Sequence, residues 1–425
     1  MSEPTVSTRP RWRRRILLVL IVIVLAAVVA GVAIDVWAGR RVASEFARLE
    51  TKYGGGLDGR SLAAPRVPPE DNRARFARAA AVLAVQGNTA YSTLLASLAK
   101  FEAAPESPIP EDVRTFIELN AEAMRVADGA RRVHRTGWDA DYAGGGNVPS
   151  FLSLRNLSNA LFFATRVEIK AGRADEASLK IAAGLAVSAS LTEEPSLIAQ
   201  LIRIAVATQQ CEAVERLISG ATPSKAALEE FAALLVENRA TDPMRLGLRA
   251  ELISTNTLLT RMERGERVRP EDLPVAPFPR SGLGRLGRPL IRLTRLQYLR
   301  DMERLRDAQA GPWPRPPFER ASGWRLTDPL GLSASGVRGL ERAIESGDMF
   351  NAVLDAVQVG VALRRYQLDR GSYPDGLAAL APAYLTRLPG RPPTYARTAN
   401  GFTLKGYAIR RPGTVAPALD WDVSR

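Results

Sequence analysis

The amino-acid sequence predicts a mainly α-helical chain with three parts. An N-terminal transmembrane helix leads into an extracytoplasmic helical bundle or short α-solenoid, followed by a small C-terminal α+β module with a β-hairpin. Three observations carry this. Ile16–Ile34 runs for nineteen residues without a charge. From about residue 70 to residue 310, apolar side chains recur at the three- and four-residue spacing of helix faces. After Gly371 that spacing gives way to short runs on either side of Asn400-Gly401, a pair suited to a hairpin turn.

Lipid offers the backbone of the apolar run no hydrogen-bond partners, so it must be helical. At about 1.5 Å per residue it measures roughly 28 Å, close to the roughly 30 Å of bilayer hydrocarbon. Arg9, Arg11, Arg13, Arg14 and Arg15 precede it, and Asp35, Trp37, Arg40 and Arg41 follow, which frames a transmembrane helix at 16–38. The arginine cluster in a short tail puts 1–15 in the cytoplasm and the long remainder outside, as in a single-pass protein of the bacterial inner membrane. A cleaved signal peptide is the competing reading, with Ala30, Gly31 and Ala33 near a cleavage position. The apolar run exceeds the roughly 7 to 15 residues of a signal h-region, which favours an uncleaved anchor. Either reading exports the body.

With 425 residues, 46% of them hydrophobic, the chain can bury a sizeable core in two or three units. Its single cysteine, Cys211, rules out an intramolecular disulfide, so an exported body is held by packing alone. The formal net charge is +13, carried almost wholly by arginine, since lysine occurs only at 52, 100, 170, 180, 225 and 405. Coding from a GC-rich genome gives that bias, and a solvated surface accounts for it. The functional alternative is attraction to anionic lipid headgroups or acidic wall polymers. The expected partners are therefore the lipid bilayer through residues 16–38, and another envelope protein or an anionic envelope polymer. Translocation argues against nucleic acid.

Beyond the span, Val42, Phe46 and Leu49 continue a helical stripe until Gly54, Gly55 and Gly56 end it, so 39–69 reads as stalk and linker, with Pro65, Pro68 and Pro69 leading into the body. The helical body occupies 70–310. Helices are expected over 69–85, 89–103 and from Pro110 to about Arg132, with proline at the first helical position. The clearest helical signal is 150–238. Leu154, Leu157 and Leu161 form one stripe, Ala177, Ile181 and Leu185 a second after Gly172, and Leu201, Ile204, Cys211, Val214 and Ile218 a third after Pro195. Cys211 falls on that stripe and reads as a small buried hydrophobe rather than a nucleophile. The turn 171–177 resembles that of tetratricopeptide repeats, but its period is not repeated. Thr222 is the expected cap of the next helix, with Pro223 at its first position. Helices over 241–264 and 290–310 flank a proline-containing loop at 268–289, and the arginine-rich face of the second suits either solvent or headgroups. The segment 311–336, beginning GPWPRPPF, reads as a linker.

The 133–149 segment breaks the helical pattern and holds the only histidine, His134, near Asp139 and Asp141. Such a group suits an acid–base pair or half a metal site, but there is no second imidazole and no nearby thiol. An irregular loop pinned by Trp138 and Tyr142 explains the same residues. The triple glycines at 54–56 and 144–146 lack phosphate-loop spacing.

The C-terminal module spans 337–425. Phe350, Leu354, Val357, Val361 and Leu368 mark an amphipathic helix ended by Gly371, and strands are expected over 393–397 and 402–409. Leu363-Arg364-Arg365-Tyr366-Gln367-Leu368, Gly371-Ser372-Tyr373-Pro374, Tyr384-Leu385, Leu388-Pro389 and Gly401-Phe402-x-Leu404 resemble the C-terminal signature of uncharacterised single-span bacterial membrane proteins. Trp138, Asp141-Tyr142, Pro149, Leu154-Arg155-x-Leu157 and Glu194-Pro195 are similar to the same family, which has no activity to lend. Over about sixty residues the tail also resembles the C-terminal domain of type II secretion major pseudopilins. That resemblance implies a long helix on a small antiparallel sheet. In those proteins aspartates shape a calcium loop, but here Pro389-Gly390-Arg391-Pro392 and Gly406-Tyr407-Ala408-Ile409-Arg410 lack the carboxylates, so no calcium site carries over. The N-terminus also departs from a prepilin, having no glutamate inside the start of the apolar run.

The chain has no G-x-S-x-G elbow, H-E-x-x-H zinc motif, paired C-x-x-C units, kinase signature or P-loop. The sequence nominates no catalytic residue, no cofactor-binding residue, no metal ligand and no cofactor. The expected function is a membrane-anchored extracytoplasmic scaffold or interaction protein. The alternatives are an envelope enzyme using a carboxylate pair, for example on cell-wall glycan, or an accessory component of a secretion or pilus system.

Overall fold

A computed structural model describes residues 11–62, 66–87, 89–104, 106–140, 142, 149–266, 287–311, 328, 332–390, 392–406, 410–411, 414–415 and 420–423. The helices are α1 (Arg11–Lys52), α2 (Arg73–Leu83), α3 (Tyr91–Ala103), α4 (Glu111–Leu119), α5 (Ala121–Asp128), α6 (Leu152–Lys170), α7 (Ala174–Ala189), α8 (Leu197–Gly220), α9 (Lys225–Arg239), α10 (Pro243–Glu263), α11 (Arg288–Ala308) and α12 (Leu332–Arg370). The strands are β1 (Thr394–Arg397), β2 (Phe402–Lys405), β3 (Arg410–Arg411), β4 (Thr414–Val415) and β5 (Asp420–Val423). The chain is mainly helical, with one long apolar N-terminal helix and a small C-terminal antiparallel sheet, as the sequence predicts. It forms two compact units. One joins Met1–Leu57, Leu252–Arg304 and Glu319–Gly339; the other joins Asp58–Glu251, Leu305–Phe318 and Leu340–Arg425.

In the first unit, α1 is one unbroken helix of 42 residues. Its most apolar window has a mean hydropathy of 3.4 and no buried residue, so that part is long and apolar enough to cross a membrane. Past Asp35 the same helix acquires a buried face at Ala38, Val42 and Leu49, where the sequence reads as a stalk. The stripe is apolar because it packs. Leu252, Ile253 and Leu259 of α10 and Ile291, Leu296, Leu299 and Met302 of α11 are among the unit's other buried aliphatic side chains. Ion pairs lock α1 to α11. Arg292 Nη1 donates to the Asp35 carbonyl at 2.8 Å and lies 2.9 Å from its carboxylate, while Glu303 accepts from Arg48 and from Lys52 Nζ at 2.7 Å. Gly39 lets the guanidinium in, since a Cβ there would fall 2.7 Å from Arg292 Nη1. Gly54, Gly55 and Gly56, all at positive φ, then stop the helix as expected, with Gly55 N–H bonding the Glu50 carbonyl at 2.6 Å.

In the second unit, α6, α7 and α8 pack side by side, with α7 almost wholly buried through Ala177, Ile181, Ala182, Leu185 and Ala186. Small residues let neighbours approach closely: Gly184 sits directly under the Gln210 side chain. Leu94, Leu98, Val113, Phe116 and Phe163 make an aromatic-rich cluster between α3, α4 and α6. The helix expected from Pro110 to Arg132 is kinked. Asn120, fully buried, separates α4 from α5, and its amide bonds the Val85 N–H and carbonyl at 2.8 and 3.1 Å. The cap of α9 is Ser224 rather than Thr222, its Oγ accepting from Ala227 N–H at 3.3 Å. Thr222 Oγ1 instead accepts from Arg364 at 2.9 Å. Gly172 and Gly371, both at positive φ, end α6 and α12 where the sequence places them.

The long α12 starts at Leu332, well before the helix expected from Phe350, so the division at 336/337 falls inside it. The sheet has the order β1-β2-β5, all antiparallel, with Arg397 paired to Phe402 and Leu404 to Trp421. The hairpin at Asn400-Gly401 exists, but four residues, 398–401, join its strands, and neither Asn400 nor Gly401 is at positive φ. Thr398 N–H closes the turn on the Gly401 carbonyl at 3.0 Å. A wider loop relieves the backbone of the twist that a two-residue turn imposes. Phe402 and Leu404 are fully buried while Lys405 is exposed, the alternation expected of a strand with one covered face. Residues 268–286 of the loop expected at 268–289, 312–327 of the linker expected at 311–336, and 407–409 of the strand expected at 402–409 lie outside the described residues.

Candidate functional site

The second unit carries a groove of about 850 Å3, within the range of small-molecule sites. Its walls are helix faces. On α6, Arg155, Ser158, Asn159, Phe162 and Arg166 follow helical spacing, and on α8 Ile204, Thr208, Gln209, Glu212 and Glu215 do the same. Met349, Phe350 and Val353 of α12 complete the apolar floor, and Tyr91 and Leu95 of α3 close one end.

A directed hydrogen-bond chain holds the polar side in place. Gln210 Nε2 donates to Ser158 Oγ at 3.2 Å, and Ser158 Oγ donates to Gln209 Oε1 at 2.6 Å. Gln209 Nε2 then donates to Tyr91 OH and Asn159 Oδ1, each at 3.1 Å. Ser158 and Gln210 are buried, so the chain is anchored in the core and ends at the groove. Burial raises the Tyr91 hydroxyl above its ordinary pKa, so it stays protonated and keeps a hydrogen to give.

Charge at the rim is unequally engaged. Arg166 is held by Glu102, with Nε at 2.6 Å from Oε1, and Glu212 by Arg216 at 3.0 Å. Arg155 is exposed and has no carboxylate partner among the described residues. Glu212 and Glu215 sit three residues apart on one wall, whereas a glycosidase-type pair flanks its substrate.

The residues singled out from sequence lie elsewhere. His134 is exposed and its Nδ1 meets Glu237 Oε1 at 2.8 Å, not Asp139. The other oxygen of Glu237 binds Arg73 at 2.5 Å, a buried arginine that also donates to the Ala130 and Val133 carbonyls at 3.0 and 2.6 Å. His134 therefore rims a structural arginine clamp. Asp141 lies outside the described residues. No group of three or more His, Cys, Asp or Glu side chains that could hold a metal is present among the described residues. Cys211 is fully buried, and burial pushes its thiol up to about 12. Trp138 is buried against Phe151, ring centroids 5.0 Å apart, and donates to the Ser190 carbonyl at 2.7 Å. Glu194 is 2% exposed; its Oε1 takes no hydrogen bond, and burial pushes its carboxyl up to about 7 against the opposing pull of the Ser196 N–H and Arg78.

Sequence reasoning missed Tyr91, Asn159, Gln209 and Met349, which form no motif and come from four helices. Compared with protein-family models, curated proteins and solved structures, the chain finds no match.

Proposed function

We propose that this chain is a membrane-anchored interaction protein whose body stands on the extracytoplasmic side and takes its ligand in the groove of α3, α6, α8 and α12. The single observation that supports this best is the groove itself. It has an apolar floor, polar groups fixed from the core, and a volume of about 850 Å3. Apolar area with a few oriented polar groups favours binding, and the groove's two carboxylates share one wall, which does not favour the enzyme reading. The five arginines ahead of the apolar run and the unburied apolar part of α1 support the membrane placement.

Two measurements test the proposal. A periplasm-active reporter fused after Arg425 is expected to be active and one fused before Arg9 inactive; the reverse pattern overturns the placement. A photo-crosslinking residue at Thr208 in living cells is expected to give an adduct that the same residue at exposed Val82 does not. Identical patterns at both positions overturn the groove as the binding site.

A further inference from the structure

At the end of the apolar run, α1 has one packed face and one bare face. Ala38, Val42 and Leu49 are buried and Asp35 is bonded to Arg292, whereas Val29, Ala33, Trp37, Arg40, Arg41 and Ser44 follow helical spacing along a groove of about 820 Å3 and are all exposed. The bare face changes chemistry along its length. Val29 and Ala33 belong to the apolar run, Trp37 follows it and is 51% exposed, and the two arginines come one turn later. An indole left bare at that level suits the bilayer interface, where tryptophan rings sit at headgroup depth. Neither Arg40 nor Arg41 has a carboxylate partner among the described residues. The carboxylates closest in sequence are already engaged, Asp35 at 2.9 Å from Arg292 Nη1 and Glu45 at 2.8 Å from Arg48 Nη2.

Helix geometry sets the depth of these two cations. Arg40 and Arg41 stand six and seven residues past Ile34, about 9 to 11 Å along the helix. The headgroup layer adds roughly 5 to 8 Å beyond the hydrocarbon. Helical side chains lean towards the N-terminus, which here is the membrane, so both guanidiniums reach back to the level of the lipid phosphates. Guanidinium matches phosphate with paired, charge-assisted hydrogen bonds, and Ser44 adds a hydroxyl one turn on. Resting on the reading of α1 as a membrane anchor, we infer that this face seats an anionic phospholipid, its phosphate at Arg40 and Arg41 and an acyl chain along Val29 and Ala33. Charge balance selects a net-negative lipid. A zwitterionic headgroup brings its own ammonium to the phosphate, whereas two arginines without counter-ions are neutralised better by a lipid that carries none.

Lipid retention by the full-length protein tests this. The protein in detergent micelles receives equal amounts of phosphatidylglycerol and phosphatidylcholine with the same acyl chains, and native mass spectrometry weighs what stays bound. The parent is expected to retain phosphatidylglycerol on the order of tenfold over phosphatidylcholine, and Arg40→Gln with Arg41→Gln to bring the two near parity. Arg114→Gln with Arg125→Gln removes the same charge from exposed positions on α4 and α5 and is expected to leave the preference unchanged. Glycerol 1-phosphate, the headgroup chemistry without chains, is expected not to displace the lipid. Equal retention of the two lipids by the parent overturns the inference, as does a preference that survives loss of Arg40 and Arg41 or falls equally in the α4 and α5 control. Displacement by glycerol 1-phosphate overturns the lipid in favour of a soluble phosphate. Micelles have no sidedness, so a reversed reporter pattern in cells refutes the orientation alone. The same spectra weigh the chain: one that begins after Ala33 refutes the anchor and the site together, and an intact chain without the preference refutes only the site.

Discussion

The indole of Trp421 lies directly on Gly360, so closely that a Cβ at that position would overlap the ring. Trp421 is fully buried, its Nε1 donates to Ser219 Oγ at 2.9 Å, and its ring meets Phe402 at 5.7 Å. One glycine on α12 thus seats the edge strand, and through Leu404, paired with Trp421, the whole sheet. Gly360→Ala is expected to destabilise this sheet by about 1 to 3 kcal/mol, the range for overpacking a filled core. Hydrogen exchange of β2 and β5 would speed up while α7 stays protected. Adding Trp421→Phe, a smaller ring, should recover part of the loss. Unchanged exchange in the single variant would show that the indole moves aside without cost.

Arg48 and Lys52 converge on Glu303 and hold its carboxyl down to about 2. A depressed carboxylate stabilises the fold above its unfolded value near 4.5, and that contribution is lost as pH falls from about 4.5 towards 2. Arg48 is half-exposed, so solvent screening keeps the gain to about 1 kcal/mol. Glu303→Gln is expected to raise amide exchange in α11 about fivefold at pH 7 and to flatten its dependence on pH below 4.5. A variant with the same steep acid response as the parent would assign that response to another group.

At the β1–β2 turn the backbone does not ask for the left-handed conformation that Asn-Gly pairs supply. Asn400 is exposed, so Asn400→Ala is expected to change stability by less than about 0.5 kcal/mol. A two-residue turn would cost more, because alanine tolerates positive φ poorly. A fall in the thermal midpoint beyond about 4 °C would point to that tighter turn.

Local features were legible in the sequence. Ile16–Ile34 is a charge-free run that reads directly as one long apolar helix, and Gly54, Gly172 and Gly371 mark helix ends because a positive φ at a C-terminus favours glycine. Helix identity in the body followed from stripes such as Leu154, Leu157 and Leu161, all buried. Relations between distant segments were not legible. The stripe Val42–Leu49 was visible, but nothing local shows that α11 is tied alongside it through Arg292–Asp35 and Glu303–Arg48. No strand is expected from sequence at Asp420–Val423, and only its pairing with β2 reveals Trp421 as core. Arg155 and Asn159 look like an ordinary solvated helix face. Their part in a groove depends on Gln209 and Met349, which approach only in the folded chain.

Glu194 ties stability to pH through a buried acid. It is 2% exposed, and Oε1 has no hydrogen-bond partner. Its carboxyl is therefore pushed up to about 7 from an ordinary value of 4.5. The unfolded chain gives up this proton near pH 4.5 and the folded chain only near 7, so between those values the folded state binds more protons and stability falls as pH rises. Above about 7 the loss levels off at on the order of 3 to 4 kcal/mol, since each tenfold change in proton affinity is worth about 1.4 kcal/mol. Glu194→Gln keeps the shape and removes the ionisation. At pH 8 it is expected to be more stable than the parent, at pH 4.5 nearly equal to it, and flat in between. Urea midpoints of the full-length protein in nanodiscs at pH 4.5, 6 and 8 measure this. A parent whose midpoint does not fall from pH 4.5 to 8, or a glutamine variant that falls alongside it, would show that water or a neighbouring side chain reaches Oε1 and keeps the carboxylate ionised.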